Sequence, residues 1–241
     1  MIRLRDFTSA RVDIGRAGHS VPTQALLDFQ LAHARARDAV HLALDVNSLV
    51  VELQQKSIPF VTVRSAAPDR SAYLQRPDLG RRLNPESRDR LAALRSDYDA
   101  VFVIADGLSA LAVHRHAAPL LEMVLRQIDW RIAPIVVVEQ GRVAIADEIG
   151  EITGAQLSVV LIGERPGLSS PDSLGIYLTW HPRSGCSDAD RNCISNIRAE
   201  GLSYPVAAQK LLFLMNESRR LKLSGVRLKE GSPQLPGSCI E

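Results

Sequence analysis

Three hydrophobic runs without polar alternation constrain this chain more than any other feature. They are Ala100-Val101-Phe102-Val103-Ile104-Ala105, Pro134-Ile135-Val136-Val137-Val138 and Leu157-Ser158-Val159-Val160-Leu161-Ile162. A strand with one face in water alternates apolar and polar residues. A run that does not alternate needs cover on both faces, as strands of a parallel sheet have. Stretches of helical character, 109–128 and 145–153, lie between the runs. Strand alternating with helix predicts a βαβ topology. The first run ends in Asp106-Gly107 and the third in Gly163-Glu164. Ligands of such sheets bind at the carboxyl ends of the strands, so both points mark a binding edge.

The rest of the chain is organised around that block. Residues 1–20 read as an irregular arm. Ser20 is a candidate N-cap and Pro22 suits a first helical turn. One long helix is expected from there to about Leu44, and a shorter one over 47–56. Residues 59–63 read as a short strand. The Arg-, Asp- and Pro-rich stretch 65–84 reads as a loop long enough to be functional. A helix follows Pro85, and the last lies at about 204–222. The expected fold class is α/β: a Rossmann-like, mostly parallel sheet with flanking helices, preceded by an N-terminal helical segment. The expected division is an arm and helical segment over 1–95, the Rossmann-like domain over 96–230 and a flexible tail over 231–241.

Composition narrows the classes of function. The chain has 241 residues, 46% of them hydrophobic, enough for a substantial core. Its formal net charge of +2 is nearly all arginine in origin, because the only lysines are Lys56, Lys210, Lys222 and Lys229. Acidic residues are interspersed, so no basic stripe argues for nucleic acid. Three cysteines without a Cys-x-x-Cys pair fit a reducing compartment and argue against a zinc or redox centre. The charged start resembles no secretory signal, and no apolar run approaches the ~20 residues that span a bilayer. A cytoplasmic protein is expected, with no membrane partner.

Within the binding edge, Gly163-Glu164-Arg165-Pro166-Gly167 is the most unusual stretch. Its glycines let backbone come close to a ligand, and Glu164 can accept hydrogen bonds from an amide or hydroxyl. A plain strand-to-loop turn, with Glu164 paired locally, reads equally well. Asp106 reads first as a cap of the following helix. Cys193 reads as a small buried hydrophobe, since no histidine is fixed near it. His114 and His116 stand two apart on a helix and point to different faces, so they read as surface residues rather than metal ligands. The chain has no G-x-G-x-x-G, Walker A loop, G-x-S-x-G elbow or Asp-x-His-x-x-Gly. Two further readings stay open: a self-sufficient enzyme binding a nucleotide at the Asp106 and Glu164 edge, and a purely structural subunit.

Several blocks, taken in order, carry a resemblance. They begin with Thr8-Ser9-Ala10-Arg11, Gly15-Arg16-Ala17-Gly18, the run Tyr73 to Leu83 and Ile104-Ala105-Asp106-Gly107-Leu108-Ser109. They continue with Gly141-Arg142-Val143, Asp147-Glu148-Ile149-Gly150-Glu151, Gly163-Glu164-Arg165-Pro166-Gly167 and Asp190-Arg191-Asn192-Cys193-Ile194-Ser195-Asn196-Ile197. Together they resemble the small subunit of ethanolamine ammonia-lyase, from about residue 3 to about 227.

That resemblance implies a carbon–nitrogen lyase that breaks ethanolamine down to acetaldehyde and ammonia by radical chemistry. It implies dependence on adenosylcobalamin, with the cobalt keeping the cofactor's own dimethylbenzimidazole. It implies a TIM-barrel large subunit that binds ethanolamine, and a hetero-oligomer of several large–small pairs with the cofactor between subunits. By the same resemblance, Val143, Glu164 and Cys193 are cobalamin contacts. No catalytic residue and no metal ligand are expected on this chain. The family's N-terminal extension, associated with packaging into a microcompartment, does not precede the arm, so a free cytosolic enzyme is expected.

Overall fold

The computed structural model describes residues 4, 7, 8 and 10–228. Its elements, in chain order, are α1 (Thr23–His41), α2 (Val46–Gln55), β1 (Phe60–Arg64), α3 (Arg70–Gln75), α4 (Pro85–Ala92), β2 (Ala100–Ala105) and α5 (Ala110–Leu125). They continue with β3 (Ile135–Glu139), α6 (Ile145–Thr153), β4 (Leu157–Gly163), β5 (Leu174–Trp180), β6 (Arg191–Ile197) and α7 (Tyr204–Leu221). The strands form one six-stranded sheet in the order β1-β3-β2-β4-β5-β6. β1, β3, β2 and β4 run parallel, while β5 and β6 extend the sheet antiparallel. The fold is therefore α/β with a mixed sheet and flanking helices.

The three hydrophobic runs lie at or near the centre of this sheet, as their lack of alternation requires. Every residue of β2 and of β4 is buried. Side chains still alternate between faces. Phe102 and Ile104 join a core with Leu49 and Leu53 of α2, Leu121 of α5 and Leu211 of α7. Val101, Val103 and Ala105 join a second core with Leu91 of α4 and with Ile145 and Ile149 of α6. Burial of each such side chain contributes roughly 1.5–3 kcal/mol.

Four of the six strands run parallel, in keeping with a mostly parallel sheet, and the antiparallel pair β5 and β6 is added at one side. Leu174, Ile176 and Leu178 of β5 pack into the first core, while Tyr177 on the other face is partly buried against the second. β6 carries a bulge. Ile176 is level with Ile194 and Leu174 with Ile197, so the register shifts between them. Asn196, at φ 60°, lies in that extra length.

The first strand, β1, pairs with β3 at one edge of this same sheet. α1 stands largely clear of the body. Ala39 is its only buried residue, and Leu26, Leu27, Phe29 and Leu31 are exposed. Ser20 does not cap it: the N-cap is Pro22, with no side-chain bond. The stretch 65–84 is not one loop. It folds into α3 and a 3-10 turn at Leu79–Arg81, because Asp69 caps the first by accepting from Ala72 N–H at 2.8 Å. The tail 231–241 lies outside the described residues. Among those residues no helix is long and apolar enough to cross a membrane.

Candidate functional site

The parallel strands β2 and β4 are neighbours, so their carboxyl ends lie side by side. Two glycines make the join possible. Gly107 has φ +55°, and a Cβ there would lie 2.2 Å from the carbonyl oxygen of Gly163. A Cβ on Gly163 would lie 2.1 Å from the carbonyl oxygen of Ser109. Leu108 N–H donates to the Gly163 carbonyl at 2.9 Å. Above this join opens a cleft of about 400 Å³, walled by Tyr73, Leu108, Arg142, Val143, Glu164 and Tyr177.

One wall rests on a buried ion pair. Asp106, fully buried, accepts from Arg70 Nη1 at 3.0 Å and from Gly141 N–H at 2.9 Å. Burial pushes its carboxyl up to about 6, against lowering by Arg70 and by the N–H groups of Gly141, Gln140 and Gly107. Asp106 is thus not the helix cap. Ser109 takes that place, its hydroxyl accepting from Ala112 N–H at 3.2 Å. Arg70 also donates to the Gly107 carbonyl at 2.9 Å, and its Nε donates to the Val40 carbonyl of α1 at 2.9 Å. The ring of Tyr73 meets two guanidinium groups, Arg70 at 4.8 Å and Arg142 at 4.4 Å from its centroid. Its hydroxyl donates to the Gly141 carbonyl at 3.0 Å. These bonds tie α3 to α1 and to the ends of β2 and β3.

The opposite wall centres on Glu164. Its Oε2 accepts from the Ser173 hydroxyl and from Asn196 N–H, the latter at 3.1 Å. The side chain lies over Gly175, where a Cβ would come within 3.0 Å of Oε1. Among the described residues no group donates to Oε1, which leaves one oxygen for a ligand. Cys193 stands level with Tyr177 across the β5–β6 pair. The structure contradicts the buried reading of Cys193, which is an exposed residue. The partial cover of its sulfur, and secondarily the Glu164 charge, push its thiol up from the ordinary value, against a lowering hydrogen bond with Tyr177.

The structure thus puts Val143 and Glu164 in the lining of one cleft, with Cys193 beside the Tyr177 that also lines it. Tyr73, Arg142 and Tyr177 join them; the first two stand in the blocks that carry the resemblance, but none is singled out by the sequence as a site residue. Tyr177 could have been found from the alternation of 174–180. His116 is buried, not at the surface. Its Nδ1 lies 2.7 Å from the Tyr204 hydroxyl, and burial lowers its pKa. Among the described residues no group of three or more His, Cys, Asp or Glu converges as a metal site.

Comparison with known proteins gives one answer. The profile of the family described as "Ethanolamine ammonia-lyase light chain (EutC)" matches residues 1–229. The ethanolamine ammonia-lyase small subunit of Azotobacter vinelandii is 58% identical over 235 residues, covering 95% of this chain and 87% of that protein. The small subunit of the same name from Pseudomonas syringae pv. tomato is 57% identical over 236 residues, covering 95% and 82%. That of Pseudomonas aeruginosa is 57% identical over 234 residues, covering 94% and 86%.

Proposed function

Because the chain belongs to the family of ethanolamine ammonia-lyase light chains, carbon–nitrogen lyases acting as part of a complex with a large subunit, we propose that it binds adenosylcobalamin at its interface with that subunit. The substrate is ethanolamine, held in a TIM-barrel large subunit, and several large–small pairs form the holoenzyme in the cytoplasm. The four parallel strands with helices on both faces support the Rossmann-like reading of the sheet, and α1 and α2 support the N-terminal helical segment. The observation that carries the cofactor reading is the free Oε1 of Glu164 in a cleft whose other lining includes Val143, Leu108 and Ile162. A corrin presents broad apolar faces edged with amides. Apolar packing and a fixed acceptor suit it, so the residues present fit the group.

When bound, adenosylcobalamin supplies a cobalt–carbon bond whose homolysis starts radical chemistry. The residues of this chain then bind, orient and exclude water. Val143 packs against the ring. Glu164 is held by Ser173 and Asn196 so that Oε1 accepts from a side-chain amide. Cys193, a neutral thiol, offers packing and a weak S–H donor. In this reading the chemical steps belong to the large subunit and the cofactor.

Glu164→Ala is expected to weaken cobalamin binding by the assembled complex roughly tenfold, the size of one hydrogen bond to a charged acceptor. Unchanged affinity would remove Glu164 from the site. Ammonia release from ethanolamine is expected only from the chain mixed with its large subunit, and turnover by the chain alone would overturn the division of labour.

A further inference from the structure

A second cleft shares a wall with the first. It holds about 450 Å³ and is lined by Arg81, Arg82, Arg88, Ala144, Glu148 and Ser184, among others. Val143 lines the first cleft and Ala144 the second, so one peptide bond separates the two linings. They are joined a second time through Gly80. Arg142 N–H donates to the Gly80 carbonyl at 2.7 Å, and a Cβ on Gly80 would lie 2.8 Å from Cγ of Arg142. The 3-10 turn that carries Arg81 is therefore pressed against the wall of the first cleft.

The charge in this second cleft is not balanced from within. Glu148 is its one acid, and both its oxygens are committed. Oε2 accepts from Leu83 N–H at 2.7 Å, and Oε1 accepts from Arg88. Arg81 and Arg82 are exposed, and among the described residues neither guanidinium is in an ion pair. Asp78, which feels the Arg82 charge, is taken by two nitrogens of Arg76. The first amides of α6 are also used: Ile145 N–H donates to the Arg142 carbonyl and Ala146 N–H to that of Val143. The attraction for an anion therefore comes from the arginine side chains and not from a helix end.

We propose that this cleft receives the phosphodiester of cobalamin's nucleotide tail, with Arg81 and Arg82 as its charge partners. The inference rests on the reading of the first cleft as the corrin site. The chemistry divides accordingly. The corrin rim offers amides, which suit Glu164, whereas the tail carries a phosphate anion, which suits the planar fork of arginine. Adjacent residues, Val143 and Ala144, line the two clefts, and the tail would pass from one to the other there.

The test compares cobalamin with cobinamide, a corrinoid that lacks the phosphate-bearing tail. Binding to the assembled complex is read by ultrafiltration, and assembly by gel filtration. Arg81→Ala/Arg82→Ala is expected to weaken cobalamin at least roughly tenfold, as loss of a charge-assisted bond does. Cobinamide binding and assembly should stay unchanged, and the double lysine variant should recover most of the loss. Equal loss for both corrinoids, or no loss, overturns the phosphate site alone. Failure of the variant to join the large subunit also overturns it, since the arginines would then be partner contacts. A wild-type complex that binds neither corrinoid overturns the corrin reading and this inference together.

Discussion

At the scale of single residues, a group's surroundings decide its role more than its type does. Asp106 and Glu164 both follow strands that end at the cleft. Asp106 is sealed beneath the wall by Arg70 and Gly141, whereas Glu164 keeps one oxygen open. Both were visible in the sequence as strand-end acids. Their difference was not, because Arg70 lies 36 residues before Asp106. Burial raises Asp106 to about 6 from 3.8, so the folded chain keeps this proton to higher pH than the unfolded one. That stabilisation is complete below the unfolded value and is lost as pH rises through 6. The stability of wild type minus that of Asp106→Asn, from urea unfolding, should therefore fall by about 2–3 kcal/mol between about pH 4 and pH 7. A flat difference would show that Asp106 is already ionised at low pH. Cys193 shows the reverse case: its residue type reads as a small buried hydrophobe, yet it is exposed beside Tyr177.

At the scale of elements, legibility followed the hydrophobic period. Helix α6 was expected over 145–153 and is found there, and β2, β3 and β4 were plain from runs covered on both faces. Strands β5 and β6 were missed. β5 alternates Leu174, Ile176 and Leu178 with Gly175, Tyr177 and Thr179, a signal of period two, although Gly175 and Thr179 are also buried. In β6 the bulge breaks the alternation, so a window of period two loses the pattern. Helix α5 depends on a neighbour in a way no local pattern shows. Pro119 lies inside it and cannot donate to the Arg115 carbonyl. The hydroxyl of Tyr204, at the start of α7, donates there at 3.3 Å and also meets His116. Tyr204→Phe removes both contacts at once. It should cost about 1–2 kcal/mol in chemical denaturation, and no loss would mean that water satisfies the carbonyl instead.

At the scale of the whole molecule, the chain buries two cores on the faces of one sheet yet leaves α1 outside both. Leu26 and Leu27 of that helix are 45% and 53% exposed. Substituting both with glutamate should change stability by about 0.5 kcal/mol or less, the range of surface positions. It should also reduce self-association of the isolated chain, measured by sedimentation, because exposed apolar patches drive it. A large drop in melting temperature would show that α1 packs on the body after all. The strand order has a consequence for synthesis. β1, the first strand made, pairs only with β3, whose partner residues follow 75 positions later, as Phe60 with Ile135. β2 emerges between them and must leave room on one side for β3. A growing chain therefore cannot complete its sheet in the order in which it is made. Until residue 139 has left the ribosome, β1 has no partner strand, and β4, β5 and β6, made later, then add in turn on the β2 side.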